Sequence, residues 1–206
     1  VVEEVKNSGL RGRGGAAFPT GVKWSFLAPN QASTKYVLCN CEEGDPGAFN
    51  DKGILESDPY TLIEGMAIAG YATKSTNGYV FIRHGHDGPI ERTKEAIQQA
   101  YDNGLLGNNI FGSDFSFDIE VSLTGDSYVA GEETALMESV EGLIARPRSR
   151  PHFPAAYGVR GHPSTITNVK SLAYVHEIIR NGSEWFKSRG TDSSSVPEIV
   201  FLAVDI

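Results

Sequence analysis

Between Lys35 and Arg83 the chain reads KYVLC (Lys35–Cys39), then PYTLIEGMAIAGYAT (Pro59–Thr73), then YVFIR (Tyr79–Arg83). The outer runs are short, apolar and bounded by polar residues, as buried strands are. The middle run places Leu62, Ile63, Met66, Ala67 and Ala69 at helical spacing, with Asp58 as N-cap and Pro59 at its first position. Strand, helix and strand of these lengths make a βαβ unit. They predict an α/β fold with an open, mainly parallel sheet flanked by helices.

The pattern continues outward. Pro89–Tyr101 is amphipathic, FDIEVSL (Phe117–Leu123) reads as a third strand, and TALMESVEG (Thr134–Gly142) is helical. RPRSRPHFP (Arg146–Pro154) is too rich in proline for a helix. A last helix is expected from near Thr167 or Asn168 to about Arg180, with a break at Gly182. Thr191–Ser195 reads as a linker, and the apolar run from Glu198 to Val204 as a strand. The chain opens on Val1 rather than Met, so a piece of something longer is expected.

Composition narrows the function. At 206 residues the chain can bury one good core, and 40% hydrophobic with 21% charged residues is ordinary for a globular domain. A net charge of −8 argues against nucleic acid as partner. No apolar run reaches the length of a membrane span and no signal peptide opens the chain, so a cytoplasmic protein is expected. Cys39 and Cys41 are poorly placed to bridge each other and too few for a metal site, so reduced thiols are expected. His84-Gly85-His86-Asp87 lacks further ligands at known spacing, and the reading is metal: none. No nucleophile elbow or Cys–His pairing supports hydrolysis.

Four segments could carry chemistry. GLRGRGGAAFPTG (Gly9–Gly21) lets backbone approach a ligand at Gly12, Gly14 and Gly15, and glycine also permits positive φ. Arg11, Arg13 and Lys23 add charge suited to phosphate. It is neither a Walker A loop nor G-x-G-x-x-G, so a phosphate-gripping loop and a plain flexible loop both stand. In CNCEEGDPGAF (Cys39–Phe49), Asn40, Glu42, Glu43 and Asp45 are either a solvated acidic turn or partners for a polar ring edge or ribose. Glu132 and Glu133 enter a helix, where acids complement the macrodipole or face a ligand. Arg146, Arg148 and Arg150 form a solvated strip or a phosphate clamp.

Taken together, GLRGRGGAAFPTGVKWSF, CNCEEGDPGAFNDK, YVAGEETALMESVEG, RPRSRPHFPAAYG and the segment around Asn168 resemble one family in order and spacing. It is the FMN- and NADH-binding flavoprotein subunit of respiratory complex I, with homologues in NAD(P)-linked hydrogenases and formate dehydrogenases. The resemblance runs from about Ser8 to Arg180. It implies a Rossmann-like domain over residues 1–190 that holds FMN and stacks NAD(P)H on it. Residues 191–206 would be a linker and the start of a following ubiquitin-like domain.

What the resemblance implies for the site is specific. Gly12, Arg13, Gly14, Gly15 and Lys23 would belong to the FMN loop, with Asn40, Glu42 and Glu43 lining the flavin. Tyr128, Gly131, Glu132 and Glu133 would hold the isoalloxazine region, Glu133 nearest the nicotinamide. Thr167 and Asn168 would stand where the family has a pair of asparagines. Phe18, Phe26 and Phe153 would sandwich adenine, with Asp45 and Arg150 as further dinucleotide contacts. The implied reaction is hydride transfer from nicotinamide to flavin with no protein acid or base required.

Departures from the family pattern are Glu42 for Asp, Ala130 for Cys, Gly125-Asp126-Ser127 before Tyr128, and Thr167 for Asn. The family's four-cysteine iron–sulfur domain is expected beyond Ile206, which makes the chain the electron-input domain of a larger electron-transfer complex, with other subunits as partners. A second reading is a binding or assembly module that keeps the fold without turnover.

Overall fold

A computed structural model describes the chain except for residues 126, 150–151, 192–195 and 199–206. Its elements are α1 (Val2–Asn7), α2 (Thr20–Leu27), β1 (Tyr36–Cys41), α3 (Asp51–Ser57), α4 (Pro59–Thr73), β2 (Asn77–Arg83) and α5 (Asp87–Asp102). There follow β3 (Asp118–Thr124), α6 (Glu133–Val140), β4 (Ser164–Asn168), α7 (Val169–Ala173), α8 (Val175–Asn181) and α9 (Ser183–Lys187).

The strands form one parallel sheet in the order β3-β2-β1-β4. The period of two along β1 sorts its side chains between two cores. Val37, Cys39 and Cys41 enter a cluster with Leu62, Met66 and Val80, while Tyr36 and Leu38 join Phe81, Leu136 and Ile166 on the other face. Both thiols are therefore buried, and they are free. Asn40 shares the second face, at the carboxyl end of the strand. From β3 the chain passes through α6 and lays β4 on the far side of β1, so the strand order reverses between β1 and β4. Ligands of open α/β sheets bind outside such a switch point.

Helix α4 has the expected bounds: Asp58 accepts from the Thr61 amide at 3.3 Å, and Lys74 closes the helix in the left-handed region at φ 58°. The C-terminal reading needs correction. Thr167 lies in β4, because Ser164–Asn168 pairs with Tyr36–Asn40, a partner more than a hundred residues away. The single helix expected as far as Arg180 is two short ones joined at Tyr174, α7 and α8, and the expected break falls at Gly182, at φ 91°, before α9. The strand expected at 198–204 lies, from residue 199 on, outside the described residues, as do residues 192–195 of the expected linker. Among the described residues no helix is long and apolar enough to cross a membrane.

The glycine run is also shorter as a loop than it reads, since α2 begins at Thr20. Gly21 lies inside that helix, where a Cβ would sit 2.3 Å from the Lys6 nitrogen. Its role is the crossing of α1 over α2. Gly21→Ala is expected to lower unfolding stability by about 3 kcal/mol, through overpacking against backbone that cannot yield. Urea denaturation with an unchanged midpoint would contradict this.

Candidate functional site

Two cavities, of about 590 and about 1000 Å³, open at the carboxyl ends of β1 and β4 and share Gly14, Asn40, Gly131 and Asn168 as a common wall. Asn40 and Asn168 are register partners across the strand pair. Asn40 Nδ2 donates to Gly131 O at 2.8 Å, and its Oδ1 accepts from the Glu42 amide at 3.1 Å. Asn168 Oδ1 accepts from the Lys170 amide at 2.9 Å, capping α7, while its Nδ2 donates to Asp51 Oδ2 at 2.5 Å. Each asparagine thus ties its strand end to a loop or helix around the cavities.

The loop glycines act more by close approach than by unusual backbone. Gly14 would bring a Cβ within 3.4 Å of the Asn168 Cβ, and Gly12 within 3.3 Å of Phe18 O. Positive φ falls at Gly9 (71°), Gly15 (109°) and Ala17 (53°) instead. Gly131 closes a 3₁₀ turn at Tyr128–Gly131, and a Cβ there would meet Glu42 Oε2 at 2.9 Å. The departure at Ala130 lies in the second core, where its side chain is buried.

Most of the acids are already engaged. Glu42 pairs with Arg83 at 2.9 Å; burial pushes its carboxyl up, against the pull of that guanidinium. Glu43 accepts from the amides of Asn50, Asp51 and Lys52 at 2.6–3.0 Å and so holds the start of α3. Glu132 caps α6 through the Thr134 and Ala135 amides at 2.9 and 3.0 Å. Asp45 is hydrogen-bonded to the Tyr128 hydroxyl, which raises that phenol's pKa. Glu42, Glu43, Asp45, Tyr128 and Glu132 all line the smaller cavity. Glu133 faces the larger one, 3.5 Å from Lys23 Nζ, which also donates to Ile166 O at 2.9 Å.

Phe18, Phe26 and Phe153 converge on the larger cavity although Phe153 is remote in sequence from the other two. They are 44, 58 and 63% exposed, and the first two rings stand 6.4 Å apart. Exposed aromatic faces around a cavity suit a flat heterocycle. Thr167 is buried beside this cavity, its Oγ1 accepting from Trp24 Nε1 at 3.5 Å. The arginine strip is not a phosphate clamp at Arg148, whose guanidinium is bound by Glu138 and Glu141 of the α6 region. Arg150 lies outside the described residues.

Sequence reasoning missed Asp51 and Lys170, which also line the smaller cavity. Asp51 sits inside the quoted CNCEEGDPGAFNDK segment, but only the fold brings it to Asn168. Buried oxygens Asn50 Oδ1 and Asp51 Oδ1 have no hydrogen-bond partner among the described residues. Such orphans on a cavity wall call for a ligand or water that can both donate and accept. A polyhydroxyl chain such as the ribityl of FMN meets that demand, so the residues present fit this cofactor.

The class so defined is an open parallel α/β domain with its ligand crevice at the switch point. The chain belongs to the Nuo51 FMN-binding domain family, which residues 5–177 match. It is 46% identical over 203 residues to the F 2 subunit of NADH-quinone oxidoreductase from Rhizobium meliloti (strain 1021), covering 98% of this chain and 48% of that one. Against the NADP-reducing hydrogenase subunit HndC of Solidesulfovibrio fructosivorans the identity is 48%, covering 98% and 41%. A crystal structure of NAD+-reducing [NiFe]-hydrogenase in the H2-reduced state superposes with a TM-score of 0.86 at 35% identity, covering 94% of this chain and 32% of that one. The chain therefore spans about half the length of these curated relatives or less.

Burial and the neighbouring Glu43 push the Asp51 carboxyl up to about 7 from its ordinary 3.8. The native state holds a proton that the unfolded chain releases between those values, so stability falls as pH rises through that window. Asp51→Asn should gain on the wild type by about 1–3 kcal/mol between pH 4 and pH 8. Thermal melts of the two proteins across this range, without ligand, measure the difference; parallel curves would refute it.

Proposed function

We propose that this chain binds FMN at the wall shared by the two cavities and oxidises NAD(P)H held over it. In this reading it is the electron-input domain of a larger iron–sulfur electron-transfer complex. The observation that carries the proposal is the junction itself. A polar cavity with orphaned oxygens meets an aromatic one across Gly14, Asn40, Gly131 and Asn168. The quinone- and NADP-linked names of the relatives favour it as well.

Bound FMN supplies the hydride acceptor. The chain's own residues bind and orient. Gly12, Arg13, Gly14 and Gly15 bring backbone close to the cofactor. Lys23, Thr167 and Asn168 offer donors to its phosphate. Asn40, Tyr128, Gly131 and the carboxylates Glu42, Glu43 and Glu132 fix the polar surroundings of its ring. Phe18, Phe26 and Phe153 stack the adenine of the dinucleotide, with Asp45 and Arg150 as further contacts. Glu133 sets negative charge beside the nicotinamide and needs no acid–base role. Residues 1–190 carry these groups as one domain. The iron–sulfur cluster and further subunits belong to the rest of the assembly, at the cytoplasmic face of a membrane complex.

The test is direct. The purified chain mixed with FMN should take on a flavin absorption band in the blue, and anaerobic NADH or NADPH should bleach it. Protein that stays colourless would favour the binding or assembly module. Glu133→Gln removes a charge that disfavours the anionic reduced form. It should raise the midpoint potential by about 30 mV, the equivalent of roughly 1.4 kcal/mol for a two-electron couple. An unchanged midpoint in a redox titration would remove Glu133 from the cofactor's surroundings.

A further inference from the structure

The segment Val196–Glu198 lies beyond residues 5–177, which match the family model, yet it reaches two residues that line the smaller cavity. Glu198 Oε2 is 2.7 Å from Arg13 Nε, and its Oε1 is 2.7 Å from Lys170 Nζ. The preceding carbonyl, Pro197 O, accepts from Arg13 Nη2 at 2.6 Å. Val196 packs on the main core, 3.6 Å from where a Gly9 Cβ would stand. Arg13 belongs to the glycine loop and Lys170 to the first turn of α7, and both line the smaller cavity. The two elements are also joined by the Arg13 amide, which donates to Ser171 Oγ at 2.8 Å.

We infer that Glu198 is a positioning residue for this site: one carboxylate clamps the glycine loop to the start of α7 and so sets the gap between Gly14 and Asn168. The Arg13 and Lys170 side chains are only 14 and 11% exposed, while the Glu198 carboxylate that joins them is 37% exposed and so open to partial screening by solvent. The functional unit thus extends past residue 190, to Glu198 at least. This rests on the reading that the cavity holds FMN.

Glu198→Gln and Glu198→Asp in the full chain provide the test, with FMN and riboflavin titrated by fluorescence quenching. A clamp acts on the gap and not on the phosphate, so Glu198→Gln should weaken both ligands alike, by about three- to ten-fold. Glu198→Asp, which keeps the charge, should recover part of the loss. Unchanged affinity would overturn the inference. So would selective tightening of FMN over riboflavin, since it would mean that Glu198 competes with the phosphate for Arg13 and Lys170. Hydrogen exchange on the ligand-free proteins separates failure of this inference from failure of the FMN reading. Residues 12–16 and 169–171 should exchange faster in Glu198→Gln even if the wild type takes up no flavin. Equal exchange there would reject the clamp.

Discussion

The pairing of β1 with β4 is the constraint on which the rest depends. It sets Asn40 opposite Asn168 at the point where the strand order reverses. Everything that forms the candidate site is attached to that pair of strand ends. Asn40 draws in the Tyr128–Gly131 turn, Asn168 starts α7 and holds Asp51, and Gly14 packs against Asn168 from the glycine loop. A parallel pair with its neighbours on opposite sides leaves a crevice beyond its carboxyl ends, because the connecting segments must diverge there.

The acidic residues around this crevice divide their work. Glu43 and Glu132 compensate unpaired amides at the starts of α3 and α6, and Glu42 is held by Arg83. Each carboxylate stabilises the scaffold while presenting charge to the cavity it lines. Capping and ligand binding are therefore not competing explanations here. A helix start that faces a ligand needs its end satisfied and its polarity set, and one side chain can do both. Arg148 serves the scaffold alone: its pairing with Glu138 and Glu141 secures the stretch after α6 against that helix.

The βαβ core was legible because its signals are local: alternating strands, the Asp58 cap and the bounds of α4 follow from side-chain periodicity. β4 was not. Its threonines and single isoleucine become a strand through pairing with Tyr36–Asn40, and that partner is remote in sequence. Gly21 illustrates the same limit from the other side. Within GLRGRGGAAFPTG it looks like one more loop glycine, and only the crossing of α1 shows that it serves packing.

By itself the sequence determined the α/β class, the family and most of the residues facing the crevice, since these are carried by periodicity and by motifs of fixed spacing. It could not say which glycine meets which backbone, that Asp51 and Lys170 line the same cavity, or that Glu198 bridges Arg13 and Lys170. Those are facts of proximity between segments far apart along the chain. They arise only when the sheet order and the helix crossings are fixed, because hydrogen bonds and close packing act over a few ångströms and carry no trace in local composition.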